Sequence, residues 1–218
     1  MTSGSELQGP ELGGPIELPA AQLDVLRKSY LAPPRAYHHF GHVQEVLRQY
    51  RAVADGPGWH RPVEVWLAVL YHDAVYIPGR GDNEAASARL VIEHIERWLP
   101  GVDVDAERIS DLILLTARHG ALRADEAGNG DAGEDARHFL DCDMAILGAP
   151  PAVFAAYDRA IAEEYRAVPR WLYRIKRRRF FRKLLASERI FLSEFFRERF
   201  ERQARDNLDA ALDGRIGG

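Results

Sequence analysis

Apolar residues recur every three or four positions along most of this chain, the spacing that gathers them on one face of an α-helix. Val63, Trp66, Leu67 and Leu70 show this spacing in one of the most apolar segments. No stretch shows the apolar–polar alternation of a half-buried β-strand, and no segment is repeated. The pattern therefore predicts an all-α domain of about eight or nine helices.

Proline, glycine and capping residues divide this pattern into segments. Pro33-Pro34 is expected to end the first helix, and Asp82 and Asp105 are expected to cap the fourth and fifth. We predict helices over 18–30, 35–54, 62–73, 82–99, 105–119, 136–147, 151–166, 170–186 and 188–212. The acidic, glycine-rich stretch 123–135 is predicted to be a surface loop. Residues 1–15 contain few apolar anchors, so we expect a disordered lead-in before one domain over 16–213.

Composition and charge narrow the class of protein. With 218 residues, 46% of them hydrophobic and 28% charged, the chain can bury a sizeable core as a single domain. The net charge of -4 argues against wholesale nucleic-acid binding. The single Cys142 excludes an internal disulfide and a cysteine-based zinc cluster. Because neither a membrane span nor a secretory signal pattern is present, we expect a cytoplasmic protein that does not associate with membranes.

Four potential metal ligands stand out against this background: His42, the doublet His72-Asp73, and Asp143. They fall on three separate predicted helices of one domain. Imidazole nitrogen and carboxylate oxygen together suit a divalent cation such as Mn, Fe, Co, Zn or Mg. Adjacent residues of a helix point about 100° apart, so His72 and Asp73 can share an ion only where the helix meets the site at its end or edge. We predict a metal site built from these helices.

Other polar residues extend or compete with this set. His38 lies four residues before His42, so the two would share a face of the predicted second helix. His119, near the end of the fifth predicted helix, is a further imidazole within reach. Asp141 competes with Asp143, because residues two apart diverge on a helix and only one of the pair is expected to ligate. Other metal and nucleotide motifs are missing: Glu-x-x-His, His-Glu-x-x-His, the phosphate loop and the Gly-x-Ser-x-Gly elbow.

The order His, His-Asp, Asp on successive helices resembles the HD superfamily of metal-dependent phosphohydrolases. The segment 37–42 is similar to the Tyr-His-Asn-x-x-His motif of cyclic-nucleotide phosphodiesterases, a related helical fold, with His39 in place of asparagine. A bacterial group of predicted HD hydrolases of unassigned substrate is more similar still. Its Arg-x-Tyr-His and Phe/Tyr-His-Asp-Ala-x-Tyr motifs are matched at 35–38 and 71–76. The similarity extends over about 18–212 through Asn83-Glu84, Ser87, 116–119, 139–148, Glu164-Tyr165 and 204–208.

This resemblance implies an HD-type helical bundle that cleaves a phosphate ester of a nucleotide or similar small molecule with metal-activated water. It implies His42, His72, Asp73 and Asp143 as ligands for one or two divalent ions, because the Asp-x-Asp motif of HD proteins usually ligates through its second aspartate. Met144 replaces the basic residue of that motif. By similarity to the phosphodiesterases, His38 would be the general acid.

Several neighbouring residues are candidates for supporting roles. Asp73 could also orient the attacking water, and Glu84 and His119 are candidates for holding that water or a second ion. Glu84 could instead only favour the dipole of the fourth helix. For a phosphorylated substrate, candidate binding groups are Arg35, Arg118, Tyr37, Tyr76, Tyr165 and His119.

Two features further along the chain leave alternatives open. The basic run over 174–183 is expected to be a solvated helix face or an anion-attracting rim of the pocket, and a nucleic-acid surface is less favoured. The phenylalanines Phe191, Phe195, Phe196 and Phe200 belong to the core or to a homodimer interface.

The alternative function is a non-catalytic, metal-dependent binding or regulatory module on the same fold. A helical scaffold without metal is a third possibility.

Overall fold

The computed structural model describes residues 12–31 and 35–215. Within these ranges the chain forms nine α-helices and no β-strand, which confirms the all-α prediction. The helices are α1 (Ala20–Ser29), α2 (Phe40–Ala54), α3 (Pro62–Tyr71), α4 (Asn83–Trp98), α5 (Ala106–Thr116), α6 (Gly130–Met144), α7 (Pro151–Glu164), α8 (Arg170–Ala186) and α9 (Glu194–Leu212). A short 3₁₀ helix, Ala145–Gly148, continues from α6.

Helix α3 is the centre of the core. It begins with Pro62 at its first position, where a missing N–H costs nothing, and every residue from Glu64 to Tyr71 is buried. Helices α2, α4, α5 and α6 all pack against it. Burial on every side explains why its sequence is almost entirely apolar. The consequence for the site is that the end of α3 delivers His72 and Asp73 to the interior of the bundle.

Helix α2 begins five residues later than predicted, at Phe40 instead of Arg35. The His39 ring caps it by accepting a hydrogen bond from the Gly41 N–H at 2.9 Å. The preceding backbone is held by α7, because the Tyr37 and His38 N–H groups donate to Glu164 Oε1 at 2.8 and 2.9 Å. The prediction that His38 and His42 share a helical face is therefore wrong. The predicted stop at Pro33-Pro34 lies outside the described residues.

Helix α6 begins six residues earlier than predicted, at Gly130, so the predicted loop over 123–135 ends sooner. The Asp135 carboxylate explains its stability, because it is fully buried and accepts hydrogen bonds from the His60 and Arg61 N–H groups and from Arg108. Gly133 permits the close packing of this first turn, since a Cβ there would lie 2.1 Å from the Gly128 carbonyl oxygen. Asp141 and Asp143 consequently lie in the last turn of α6 and not in its first turns, where the predicted start at residue 136 would have placed them.

Of the two aspartates predicted to cap a helix, one does so and the other does not. Asp105 caps α5 as predicted by accepting from the Arg108 N–H at 2.9 Å. Asp82 precedes α4 but makes no capping bond, because its carboxylate pairs with Arg80. Helix α9 begins only at Glu194, where Ser193 caps it, so 188–193 is not helical.

The four phenylalanines at 191, 195, 196 and 200 belong to the core. Phe191 and Phe196 are fully buried, and Phe195 and Phe200 pack against the same core, which favours a place in the core over a subunit interface.

Residues 12–15 lie in irregular conformation beside α2, where Arg51 donates to the Leu12 carbonyl at 2.8 Å. The rest of the predicted lead-in, 1–11, is outside the described residues.

Among the described helices, none is by itself both long and apolar enough to cross a membrane. Gly130–Gly148 and Pro151–Glu164 satisfy that length and composition only when taken together, and they meet at a bend of 103°.

Candidate metal centre

Helices α2, α3 and α6 bring the four predicted ligands to one point. His42 Nε2 lies 2.9 Å from Asp143 Oδ1, 3.2 Å from His72 Nε2 and 3.6 Å from Asp73 Oδ2. His72 Nε2 lies 3.2 Å from Asp73 Oδ2 and 3.6 Å from Asp143 Oδ1. Ligands held about 2.1 Å from a metal are about 3.0–3.4 Å from one another, and these separations of 2.9–3.6 Å lie within a few tenths of an ångström of that range. The group His42, His72 and Asp73 could hold a metal ion, with Asp143 beside it.

The end of α3 satisfies the geometric demand of the His-Asp doublet. His72 is the C-cap of α3, and Asp73 lies just beyond the helix. His72 keeps helical backbone angles (φ −53°, ψ −37°), and at this end of the helix both side chains still reach the same place, with His72 Nε2 3.2 Å from Asp73 Oδ2. The His72 Nδ1 donates to the Val69 carbonyl oxygen at 2.8 Å, which leaves the Nε2 lone pair directed toward the other ligands.

The charges of the cluster balance inside the core. Burial alone would raise the pKa of Asp143, but His72 and His42 hold it well below the usual range. Burial acts in the same way on Asp73, and His72 and His38 lower its pKa below the ordinary value. The pKa of His72 is raised because Asp73 and Asp143 outweigh its own burial. Two carboxylates buried together require compensating positive charge, which imidazolium protons or a bound cation can provide.

His119 stands at the edge of this cluster. Its Nδ1 lies 3.2 Å from Asp143 Oδ2, on the side of that carboxylate away from His42. Its Nε2 is buried and has no hydrogen-bond partner in the described part of the chain. Burial lowers the pKa of His119, which favours the neutral imidazole that a metal requires. His119 therefore has a free nitrogen beside the cluster, and Glu84 lines the same cavity.

His38 occupies the cavity side of the cluster and is oriented by α7. Its Nδ1 lies 2.6 Å from Glu164 Oε2, and the Glu164 side chain is fully buried. The His38 ring also lies against Tyr76, with ring centroids 4.0 Å apart and planes inclined by 30°. Burial would raise the pKa of Glu164, but the contacts with His38 and with the Tyr37 and His38 N–H groups lower it overall. The ring is thereby fixed, with Nε2 left for the cavity.

A cavity of about 550 Å³ opens on the cluster. Asp73, Asp143, His38 and His119 line its polar side. Six aromatic rings form much of the remaining wall: Tyr37, Tyr76, Tyr157, Tyr165, Tyr173 and Phe180. Lys176 and Arg177 of α8 and Arg80 of the loop after α3 also line it. The volume suits a small molecule with one polar end and one flat or apolar part.

The loop after α3 is fixed by the first turns of α4. Asn83 accepts a hydrogen bond from the Ile77 N–H and donates to the Ile77 carbonyl, both at 3.0 Å. The buried Ser87 hydroxyl accepts from the Val75 N–H at 3.0 Å and donates to the Val75 carbonyl at 3.2 Å. These contacts position Tyr76 and the cavity wall relative to Asp73.

Two arginines proposed to clamp a phosphate do not lie in the cavity lining. Arg35 donates to the carbonyl oxygens of His38, Asp73 and Ala74 at 2.7, 2.8 and 3.0 Å. Its guanidinium therefore ties the segment 35–38 to the end of α3, and the substrate-binding assignment of Arg35 is corrected to a positioning role. Arg118 is exposed and pairs with Glu126 at 2.9 Å, so it is also directed elsewhere.

Asp141 serves α9 and not the cluster. It accepts from the Leu192 and Ser193 N–H groups at 2.8 and 2.7 Å and from the Ser193 hydroxyl at 2.6 Å. Burial raises the pKa of Asp141 to about 7, although all three donors favour the charged form.

We expect Asp141→Ala to lower the free energy of unfolding by about 3 kcal/mol or more, because it leaves buried donors without an acceptor. Chemical denaturation measures this loss, and Asp206→Ala on the exposed face of α9 is the matched control. A loss below about 1 kcal/mol would mean that Asp141 does not hold α9 in place.

Glu164 is the main residue that the sequence reasoning did not assign to the site. A signal was available, since Glu164 lies three residues after the buried Ile161 and so places a carboxylate on the apolar face of α7. A buried acid on such a face needs a partner, and His38 is that partner. Tyr157 of α7 and Tyr173 and Phe180 of α8 were also unassigned, because only the folded structure brings these helices to the cavity. Lys176 and Arg177 belong to the basic run, for which a pocket rim was one of the expected places, and both line the cavity.

Comparison of this chain with protein-family models, with curated proteins and with solved structures found no match.

Proposed function

We propose that this protein is a metal-dependent phosphohydrolase of the HD type that acts on a phosphate ester of a nucleotide or similar small molecule. The observation that carries the proposal is the packing of His42, His72, Asp73 and Asp143 at ligand-to-ligand separations beside an open cavity. A site that only stabilised the fold would not need a cavity of this size at the ligands. The sequence resemblance supports the same class.

The donor set favours a borderline or hard divalent cation such as Mn, Fe, Co, Zn or Mg. Such an ion would supply a nucleophilic water at neutral pH and neutralise charge on a phosphoryl oxygen. A second ion would draw on Asp143 Oδ2, on the His119 ring, whose Nδ1 lies 3.2 Å from that oxygen, and on Glu84 of the cavity lining. The Val69 carbonyl keeps His72 in the tautomer that ligation needs.

The protein's own groups divide the remaining work. His38 is placed to give a proton to the departing oxygen, because Glu164 holds its Nδ1 and leaves Nε2 to the cavity. Asp73, which lines the same cavity, can orient the attacking water. Lys176 brings positive charge to the cavity, and Tyr76 and Tyr165 offer flat surfaces for the ester's organic part.

A phosphoester panel tests this proposal. The protein is stripped with a chelator, reloaded with Mn, Fe, Co, Zn or Mg, and assayed against mononucleotides, cyclic nucleotides and simple phosphomonoesters and diesters. We expect hydrolysis of at least one ester class that the chelator abolishes and one metal restores. Metal binding without hydrolysis of any ester would instead favour a metal-dependent regulatory module.

A further inference from the structure

A second cavity, of about 350 Å³, lies between α7, the first half of α8 and the end of α9. Six arginines line it: Arg159, Arg166, Arg170, Arg174, Arg177 and Arg178. Asp158 is the single carboxylate among the described residues of this lining. We refer to this space as the arginine cavity. Its charge is opposite in sign to the net charge of the whole chain.

Most of these arginines lack a carboxylate partner. Arg177 pairs with Asp158 at 2.9 Å, and Arg166 pairs with Glu163 at 2.8 Å. Arg178 donates only to the Leu212 carbonyl, at 2.7 Å. Within the described part of the chain, no ion pair compensates the remaining three, Arg159, Arg170 and Arg174. Positive charges gathered around one space repel each other, so the arrangement is most stable with an anion inside it.

Two buried polar groups in the lining also lack partners. The Arg177 Nη2 group and the Tyr173 hydroxyl are both buried, with no hydrogen-bond partner in the described chain. Leaving a buried donor unpaired costs about 1–3 kcal/mol. Tyr173 and Arg177 line both cavities, so an acceptor in either one could pair with these groups once the two side chains rotate.

The start of α8 adds to the positive electrostatic potential of the arginine cavity. Pro169 is its N-cap and makes no side-chain capping bond, and its first turn contains no acidic residue. Arg170 therefore lies at the positive end of the helix dipole, where cations are unfavourable and anions are stabilised.

We propose that the arginine cavity binds a small polyanion that carries at least two phosphate groups. Guanidinium groups bind phosphate oxygens through paired, charge-assisted hydrogen bonds, and six of them exceed what one phosphate can use. The cavity is too small for a folded partner but has room for a pyrophosphate or triphosphate group. This binding does not depend on the proposed hydrolase activity.

The arginine cavity shares a wall with the cavity at the candidate metal centre. Tyr165, Val168, Tyr173 and Arg177 line both spaces. A polyanion that draws Arg177 or Tyr173 toward itself would therefore move side chains that face the candidate site.

Isothermal titration of the full chain with inorganic triphosphate tests the proposal. We expect saturable binding with a stoichiometry near one at about physiological salt, where diffuse attraction is largely screened. The double variant Arg170→Ala/Arg174→Ala should weaken binding by about tenfold or more. The matched control, Arg179→Ala/Arg182→Ala, removes the same charge from exposed positions of α8 outside either cavity and should change affinity by less than about twofold.

Three results would overturn the proposal. Absence of saturable binding would mean that the cavity is not an anion site. Equal weakening in both double variants would assign the binding to the general charge of α8, as a nucleic-acid surface would also show. Loss of binding in Asp73→Ala would place the triphosphate at the candidate metal centre. Retained binding in Asp73→Ala supports the arginine cavity even if no ester is hydrolysed.

Discussion

Asp73→Ala abolishes metal-dependent ester hydrolysis and weakens metal affinity by at least about 100-fold, since even residues that only support a ligand cost 10–100-fold when removed. Asp73 Oδ2 lies 3.2 Å from His72 Nε2 and 3.6 Å from His42 Nε2, so the substitution removes one oxygen from the proposed ligand set. The measurement is metal titration, together with hydrolysis of whichever ester the panel identifies.

Two variants make this result specific. Asp111→Ala removes a carboxylate from an exposed position of α5 and should leave both quantities unchanged. Asp73→Asn keeps the shape of the side chain but removes its negative charge. We expect it to lose nearly as much metal affinity and hydrolysis as the alanine variant. Full hydrolysis in Asp73→Ala, with the fold intact by circular dichroism, would remove Asp73 from the mechanism.

His38→Gln lowers kcat by about 10²- to 10⁴-fold, the usual contribution of a general acid, while metal content stays at the wild-type level. His38 lies on the cavity side of the cluster and is bonded to Glu164, and it does not join the group of donor atoms around His42 and His72. A variant that loses kcat but keeps its metal has lost a proton donor, whereas a variant that loses its metal has lost a ligand.

Glu164→Gln tests the positioning role of the buried carboxylate. The neutral amide can still meet the His38 ring but no longer supplies the charge, so we expect a smaller loss of kcat and a displaced pH–rate profile. Because Glu164 also accepts from the Tyr37 and His38 N–H groups, a parallel thermal melt is needed. A wild-type pH profile in this variant would show that Glu164 acts only on stability.

The sequence predicted the helical class and the helix end at the His-Asp doublet because both depend on local signals. Apolar spacing determines helix faces, and Pro62 and Asp105 act within one turn of the chain. The His72-Asp73 doublet demanded a helix end, and α3 ends there. These features need no knowledge of distant residues.

The errors arose where distant contacts override local pattern. The stretch over 35–39 looks helical, yet the Glu164 carboxylate, 126 residues after His38, takes its N–H groups. The glycine-rich start of α6 looks like a loop, yet buried Asp135 fastens it to His60, Arg61 and Arg108. Arg35 was assigned to substrate for the same reason, since its carbonyl partners at 73 and 74 are visible only in the fold.

Elemental analysis of the purified full-length protein tests the central claim most directly. The proposed centre predicts about one or two equivalents of a divalent metal per chain, either as isolated or after reloading with Mn, Fe, Co, Zn or Mg and removal of excess ion. Asp111→Ala should retain this content and Asp73→Ala should lose it. Wild-type protein that holds no metal under any of these conditions would contradict the proposed centre and the hydrolase built on it.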